Sequence, residues 1–283
     1  EIGVIDRDVT NFVDKDVNSG IEYSYRISAL TPIVQSLKSS SNRLTLIMSK
    51  PSNLKTSGQY SSNINLEWTD NCEYESGFRV EQDSGAGFQV IAEVTSNTQS
   101  YIQRGLKPLV FYKYRVCAFT TTDTSDFSDI ATAVILIPIE DVDGNQYETV
   151  AIGDQIWMSE NLRTKHYRNG DSIKNIPKDD DWVSSTLGAY CGENRYGWKP
   201  EYGTLYNWYA VSDIRNIAPA GWHVPTDADW NKLEHELGIT NETIDEFGVR
   251  GWNSVGSKLA GTQFWRPGAL TESKEFGSSG FNA

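Results

Sequence analysis

Between residues 51 and 137 the chain is written in period two. Seven short runs alternate polar and apolar residues, each bounded by Gly, Ser, Thr, Asn or Asp, and no run spaces its apolar residues as a helix would. Asn63-Ile-Asn-Leu-Glu-Trp68 and Gly77-Phe-Arg-Val-Glu-Gln82 are the clearest, and Asp83-Ser-Gly-Ala-Gly87 turns the chain after the second. The remaining runs begin at Pro51 and cover 88–94, 99–102, 112–119 and 130–137. Successive side chains of a strand point to opposite faces, so each run has one face to bury. Seven such strands joined by tight turns predict two antiparallel sheets packed face to face.

One of these runs carries more than alternation. In Leu106-x-Pro108-x-x-x-Tyr112-x-Tyr114-x-Val116-x-Ala118, Tyr112 follows a turn at a spacing that lets its ring pack inside while its hydroxyl bonds the turn backbone. Tyr114, Val116 and Ala118 share its face. With Trp68 on an earlier strand and the stretch Trp68-Thr-Asp-Asn-Cys-Glu-Tyr-Glu-Ser-Gly-Phe-Arg-Val80, the segment 50–138 resembles a fibronectin type III domain of the kind found in bacterial surface proteins.

The same pattern recurs upstream. Val17-x-x-x-x-x-Tyr23-x-Tyr25-x-Ile27-x-Ala29 matches Leu106 to Ala118 position for position. Arg43-Leu-Thr-Leu-Ile47 supplies a following strand, and residues 10–13 are left as the only candidate for a preceding one. Residues 1–49 are therefore expected to be the back half of a second sandwich, so that the sequence starts inside a longer polypeptide.

Beyond Pro138 the chain changes in kind. It holds eight of the nine Trp and all three His. Residues 139–162 read as a β-meander with hairpin turns at Asp143-Gly144 and Gly153-Asp154. A helix is predicted over 227–237: Thr226 caps it, Asp229 completes a capping box, Trp230, Leu233 and Leu237 form its apolar stripe, and Gly238 closes it. His235 lies off the stripe and is expected in solvent.

Five motifs here resemble the Fibrobacter succinogenes major paralogous domain. They are Asp143-Gly-Asn-x-Tyr147, Ile152-Gly-Asp-Gln-x-Trp-Met158, Glu160-Asn-Leu162, Gly203-x-Leu-Tyr-Asn-Trp-Tyr-Ala210 and Ala218-Pro-x-Gly-Trp-His-Val-Pro-Thr226. The resemblance implies a C-type-lectin-like fold and a setting in secreted proteins and lipoproteins; it implies no established activity. Val-Pro-Thr-Asp-Ala-Asp-Trp230 also resembles the helix start of formylglycine-generating enzymes, which share that fold. The family pattern continues past Gly280-Phe-Asn-Ala283, so residues 139–283 are expected to be a partial module.

Composition removes several classes of function. The net charge is −13, and no basic patch is visible, which argues against nucleic acid or an anionic membrane as partner. No apolar run reaches the ~18 residues of a membrane span. Cys72, Cys117 and Cys191 show no metal-ligand spacing; one Cys72–Cys117 bridge and free thiols are both compatible with the sequence. Asp141-Val-Asp-Gly-Asn145 is no EF-hand loop, because Gln146 and Ile152 stand where Gly and Glu are required. Those residues are expected to be turn residues. No nucleophile is placed beside a base, and His223 reads as part of a tight turn.

What remains is aromatic. Trp157, Trp208, Trp222 and Trp230 stand in regular motifs and are expected in the core. Trp182, Trp198, Trp252 and Trp265 stand in loop-like sequence, and Asp179-Asp180-Asp181 reads as a solvated loop. Exposed Trp and Tyr faces stack on sugars and anchor interfaces. Trp182, Trp198 and Tyr202 are the candidate ligand-binding residues, and Asp179 to Asp181 with Glu193 would add acceptors for sugar hydroxyls.

The expected architecture is multidomain: all-β fibronectin type III sandwiches (1–49 partial, 50–138 whole) leading into an α+β C-type-lectin-like module (139–283). The expected function is non-enzymatic adhesion or display at the cell surface, with a glycan or a surface protein as partner, no cofactor and no catalytic or metal residues. The alternatives are a polysaccharide-binding accessory region of a larger secreted enzyme and, more distantly, a formylglycine-generating oxidase.

Overall fold

The computed structural model describes residues 2–14, 16–17, 21–192, 202–240, 254–262 and 265–281. The chain divides into two compact units, Glu1–Ile135 and Leu136–Ala283.

The first unit opens with an antiparallel ribbon of β1 (Glu22–Tyr25) and β2 (Asn42–Thr45), with Tyr23 opposite Leu44 and Tyr25 opposite Asn42. Residues 10–13 form no strand, against expectation. A lone extended segment with no ladder partner gains no inter-strand hydrogen bonds.

Seven strands follow: β3 (Ser52–Ser57), β4 (Asn63–Thr69), β5 (Gly77–Asp83), β6 (Gln89–Thr95), β7 (Ser100–Arg104), β8 (Phe111–Phe119) and β9 (Ala131–Val134). They build the predicted sandwich, one sheet in the order β3-β4-β7 and the other β6-β5-β8-β9. The alternation does what the pattern requires. Ile64, Leu66 and Trp68 of β4 point inward and meet Phe78, Val80, Tyr112, Tyr114, Val116 and Ala118 from the opposite sheet, all buried. The Trp68 and Phe78 rings are tilted with centroids 5.7 Å apart. The Tyr112 hydroxyl accepts from Lys107 N at 3.0 Å, which pins the turn into β8.

Between β8 and β9 the chain runs alongside β8 with two serines serving as surrogate backbone. Ser125 N donates to Ala118 O while its Oγ accepts from Ala118 N. Ser128 does the same for Val116. On the outer face, the Arg115 guanidinium lies between the Phe88 and Phe127 rings and pairs with Glu81. Cys117 is buried beneath this layer.

In the second unit the expected meander resolves into two separate ribbons. β10 (Ile139–Glu140) pairs with β11 (Gln146–Tyr147), and β12 (Thr149–Ile152) with β13 (Gln155–Met158). Their turns fall at Gly144 and Gly153, both at positive φ, where glycine carries no steric penalty. β14 (Lys174–Asn175), β15 (Ala189–Cys191) and β16 (Leu205–Tyr206) form a small mixed sheet in that order, with β14 parallel to β15.

Among the described residues, four helices complete the unit: α1 (Asp179–Ser184), α2 (Trp208–Val211), α3 (Asp227–Glu236) and α4 (Val255–Leu259). The predicted capping box of α3 is present, Thr226 and Asp229 bonding reciprocally. Leu233 and Leu237 bury its stripe against Ile152, Trp157, Ile239, Val255 and Phe281. A second core gathers Tyr167, Ile173, Tyr190, Ala210 and Ile217. Two expectations are corrected here. Asp179, Asp180 and Asp181 are the first turn of α1, not a loop, where their charge complements the positive end of the helix dipole. Trp182, read as a loop residue, stands in the same helix.

Candidate functional site

The side chain of Asn207 organises an exposed aromatic surface of the second unit. Its Oδ1 accepts from Ala189 N at 2.9 Å and from Ala210 N at 3.0 Å, and its Nδ2 donates to Leu187 O at 2.8 Å. One amide thus caps α2 and stitches it to the segment entering β15. Ala210 faces inward and is fully buried, packed beside Gly188. A Cβ at Gly188 would collide with the Tyr167 hydroxyl and crowd the Ala210 backbone, so only glycine lets α2 sit this close.

With Ala210 turned in, Trp208 at the start of the helix is turned out. It is 72% exposed, and Tyr209, Leu205, Leu187 and Val183 are exposed as well. This overturns the expectation that Trp208 lies in the core. A four-residue helix buries one side only, and Ala210 takes it. Trp230, also expected in the core, is partly exposed, although its ring lies 5.0 Å from that of Trp157. Trp157 is buried as expected, Trp222 is half-buried and Trp265 is exposed.

The three residues singled out from sequence fare differently. Trp182 is half-buried on α1, whose end leads through Ser185 to Leu187 and so to Asn207. Tyr202 is 44% exposed, three residues before β16. They approach from different segments, with the β15–β16 pairing between those segments. Trp198 lies outside the described residues, as do Glu193 and Trp252. Sequence reasoning missed Trp208 and Tyr209. The available signal was Asn207 as a helix cap with a small residue three positions on.

The polar groups that invited other readings are engaged locally. Asp141 accepts from Asp143 N and Asn145 N, each at 2.9 Å, and from the Tyr147 hydroxyl at 2.6 Å, so its carboxylate staples the first hairpin. Asp143 accepts from Thr164 Oγ1, Lys165 N and His166 Nδ1. Burial raises its pKa, but these hydrogen bonds outweigh burial and hold it below the ordinary carboxylate value. His223 Nε2 lies 3.1 Å from Asp229 Oδ2, the same oxygen that caps α3. Arg168 donates to the carbonyls of Ala218, Pro219 and Trp222, which fixes the Ala218-Pro-x-Gly-Trp-His turn. All three cysteines are buried and none is disulfide-bonded, and burial pushes the Cys72 and Cys117 thiols up, away from the reactive thiolate. Among the described residues no group of His, Cys, Asp or Glu gathers as a metal ion would require.

Fold and surface together define a multidomain protein, mostly β-sandwich with few helices. Residues 49–134 match the fibronectin type III domain, and residues 150–283 match the Fibrobacter succinogenes major domain. This pair of domains suggests an extracellular multidomain protein. Among the described residues no helix is long and apolar enough to cross a membrane. No curated protein matches the chain. Solved structures similar to it include titin kinase with its flanking domains, at 19% identity over 30% of this chain and 16% of that one, with a TM-score of 0.27. A Fn3-like protein from Clostridium thermocellum is similar at 20% identity over 30% of this chain and 90% of that one, with a TM-score of 0.26. The FN1-FN3 domains of chicken CNTN1 are similar at 17% identity over 43% of this chain and 45% of that one, with a TM-score of 0.29.

Proposed function

We propose that the chain is a non-enzymatic adhesion or display protein of the cell surface. Its sandwich serves as a spacer, and the module at 139–283, taken as C-type-lectin-like, binds a neutral glycan through the aromatic surface around α2. The observation that carries this reading is Trp208. A large apolar ring 72% exposed is costly to leave in water, and here the Asn207 cap holds it out. Flat aromatic faces stack on sugar rings, and Trp182 and Tyr202 stand on the adjoining segments. The carboxylates of Asp179, Asp180 and Asp181 on α1 would accept hydrogen bonds from sugar hydroxyls and repel anionic glycans. The test is a glycan array and a cell-binding assay with Trp208→Ala, Trp182→Ala and Tyr202→Ala. The expected result is loss of binding to a neutral glycan by Trp208→Ala, with an unchanged melting curve. Binding equal to that of the parent by all three variants would remove this surface as the site.

A further inference from the structure

One turn of the second unit carries a reactive dipeptide. Asn169-Gly170 is the one Asn-Gly pair in the sequence. It lies at the tip of a hairpin closed by Tyr167 N to Asp171 O at 2.8 Å and Ile173 N to Lys165 O at 2.9 Å, with His166 bridged to Ser172 between them. Both residues of the pair are exposed. Gly170 has φ +91°, and a Cβ built on it would meet nothing within 4 Å. A side chain on the residue after an asparagine shields that residue's amide nitrogen; glycine leaves the nitrogen open to the carboxamide beside it.

Two bonds engage the carboxamide. Asn169 Oδ1 accepts from Asp171 N at 3.0 Å, and Asn169 Nδ2 donates to Asp171 Oδ2 at 3.0 Å. The first places a backbone donor on the oxygen that gains negative charge when the carboxamide carbon is attacked. One contact opposes attack: Gly170 N donates to Tyr167 O at 2.8 Å, so the nitrogen is freed only when the turn opens. Asp143-Gly144 has the same form with an acid in place of the amide. There Asp143 accepts from Thr164, Lys165 and His166, which keeps it ionised, and a carboxylate is a poor electrophile.

The neighbours of the turn give a change at Asn169 its consequence. Asp171 Oδ2 also accepts from Arg215 Nη1 at 3.1 Å. Arg215 pairs with Asp213 at 2.7 Å and lies 3.9 Å over the centre of the Tyr167 ring. Tyr167 is buried, and its hydroxyl lies against Gly188 and so beneath α2. The Asn169 amide and the Arg215 guanidinium together hold the Asp171 carboxyl below its ordinary value.

We infer that Asn169 is a site of self-modification, and that its conversion to an acid loosens the clamp formed by Asp171, Arg215 and Tyr167. The Gly170 nitrogen, having lost its proton to solvent base, attacks Cγ of Asn169. The Cγ–Nδ2 bond breaks, and Nδ2 leaves as ammonia after taking a proton from water. A cyclic imide remains. Water then opens one of its two C–N bonds: attack at Cγ leaves an aspartyl residue at position 169, and attack at the less hindered α-carbonyl leaves an isoaspartyl residue. The sum is one water consumed and one ammonia released, with no change of oxidation state. Either product replaces a donor to Asp171 with a second carboxylate, which repels it. The isoaspartyl form also adds a methylene to the backbone of the turn, which breaks the closure of Tyr167 on Asp171.

The experiment ages the full chain at physiological temperature, at near-neutral and at mildly alkaline pH. Peptide mass mapping reads the conversion, and labelling by an isoaspartyl methyltransferase tells the two products apart. Amide hydrogen exchange is then compared between converted and unconverted chains separated by ion exchange. Conversion is expected at Asn169 ahead of the other described asparagines, and to quicken about tenfold per pH unit as the amide anion becomes commoner. Exchange at the Tyr167 and Ile173 amides is expected to rise about tenfold or more in converted chains, because these bonds then open locally. Asn169→Ser keeps an oxygen for Asp171 N and has no amide to lose, and is expected to show neither change. Asn169→Asp adds the charge without the longer backbone, and is expected to raise exchange by less than the isoaspartyl chains do. An unconverted Asn169 in the aged folded chain, or converted chains that exchange like unconverted ones, would overturn the proposal. So would equal loss of protection in fresh Asn169→Ser, since the amide would then act only as a hydrogen-bond donor.

Discussion

At the scale of single residues, stability in the sandwich is set by two side chains doing different things. Trp68 fills the space between the sheets against Phe78, and its removal leaves a large cavity. Trp68→Ala is expected to cost about 3–5 kcal/mol, measured by chemical denaturation of the sandwich. Tyr112 is buried too, but Tyr112→Phe keeps its ring and removes only the hydroxyl bonded to Lys107 N. The released N–H lies at an exposed turn where water replaces the phenol, so the expected cost is about 1 kcal/mol. A larger loss from Tyr112→Phe than from Trp68→Ala would mean that the corner, and not the core, holds the fold. Both residues were legible from sequence because each sits in a run whose alternation leaves it no other face. Trp208 was not legible. Its motif is as regular as that of Trp157, yet one ring is buried and the other exposed.

At the scale of elements, edges and ends decide stability. Ser128 Oγ accepts from Val116 N, a donor that is buried and has no water to turn to. Ser128→Ala is therefore expected to cost about 1–3 kcal/mol, several times what an exposed Ser→Ala change costs, as read from the shift in denaturation midpoint. The start of α3 makes a prediction in pH. Hydrogen bonds from the Thr226 hydroxyl and Thr226 N, with a contribution from His223, lower Asp229 from 3.8 to about 2. A carboxyl depressed on folding stabilises the fold above its unfolded pKa, and that stability is lost as pH falls through the folded value. The second unit should lose stability between pH 3.8 and about 2, and Asp229→Asn should flatten that acid limb while lowering stability at neutral pH. An unchanged acid limb in Asp229→Asn, followed by circular dichroism across that range, would show that the capping box contributes nothing to it.

At the scale of the whole molecule, charge selects partners. A net charge of −13 produces a repulsive field for polyanions, and the first turn of α1 concentrates three carboxylates in the second unit. Binding to a neutral polysaccharide should change little with salt. Any binding to a sulfated or uronic polymer should be weak at low ionic strength and grow as salt screens the repulsion. Surface plasmon resonance across a salt series separates the two, and tight low-salt binding to a polyanion would contradict this account.

Sequence alone determined the elements whose signal is local. The period-two runs of 51–137, the Tyr112 corner, the two glycine hairpin turns and the capping box of α3 each rest on neighbours within a few residues, so each was readable before any fold was known. The repeat of Val17 to Ala29 on Leu106 to Ala118 was equally plain in the letters. Tertiary structure decided the rest. A strand exists only if another strand pairs with it, so residues 10–13 carry the pattern of a strand and remain without a ladder. The side of α2 that faces solvent depends on Gly188 and Tyr167, which lie 20 or more residues away in sequence. That contact turns Ala210 inward and Trp208 outward, and no periodicity in a four-residue helix could have announced it.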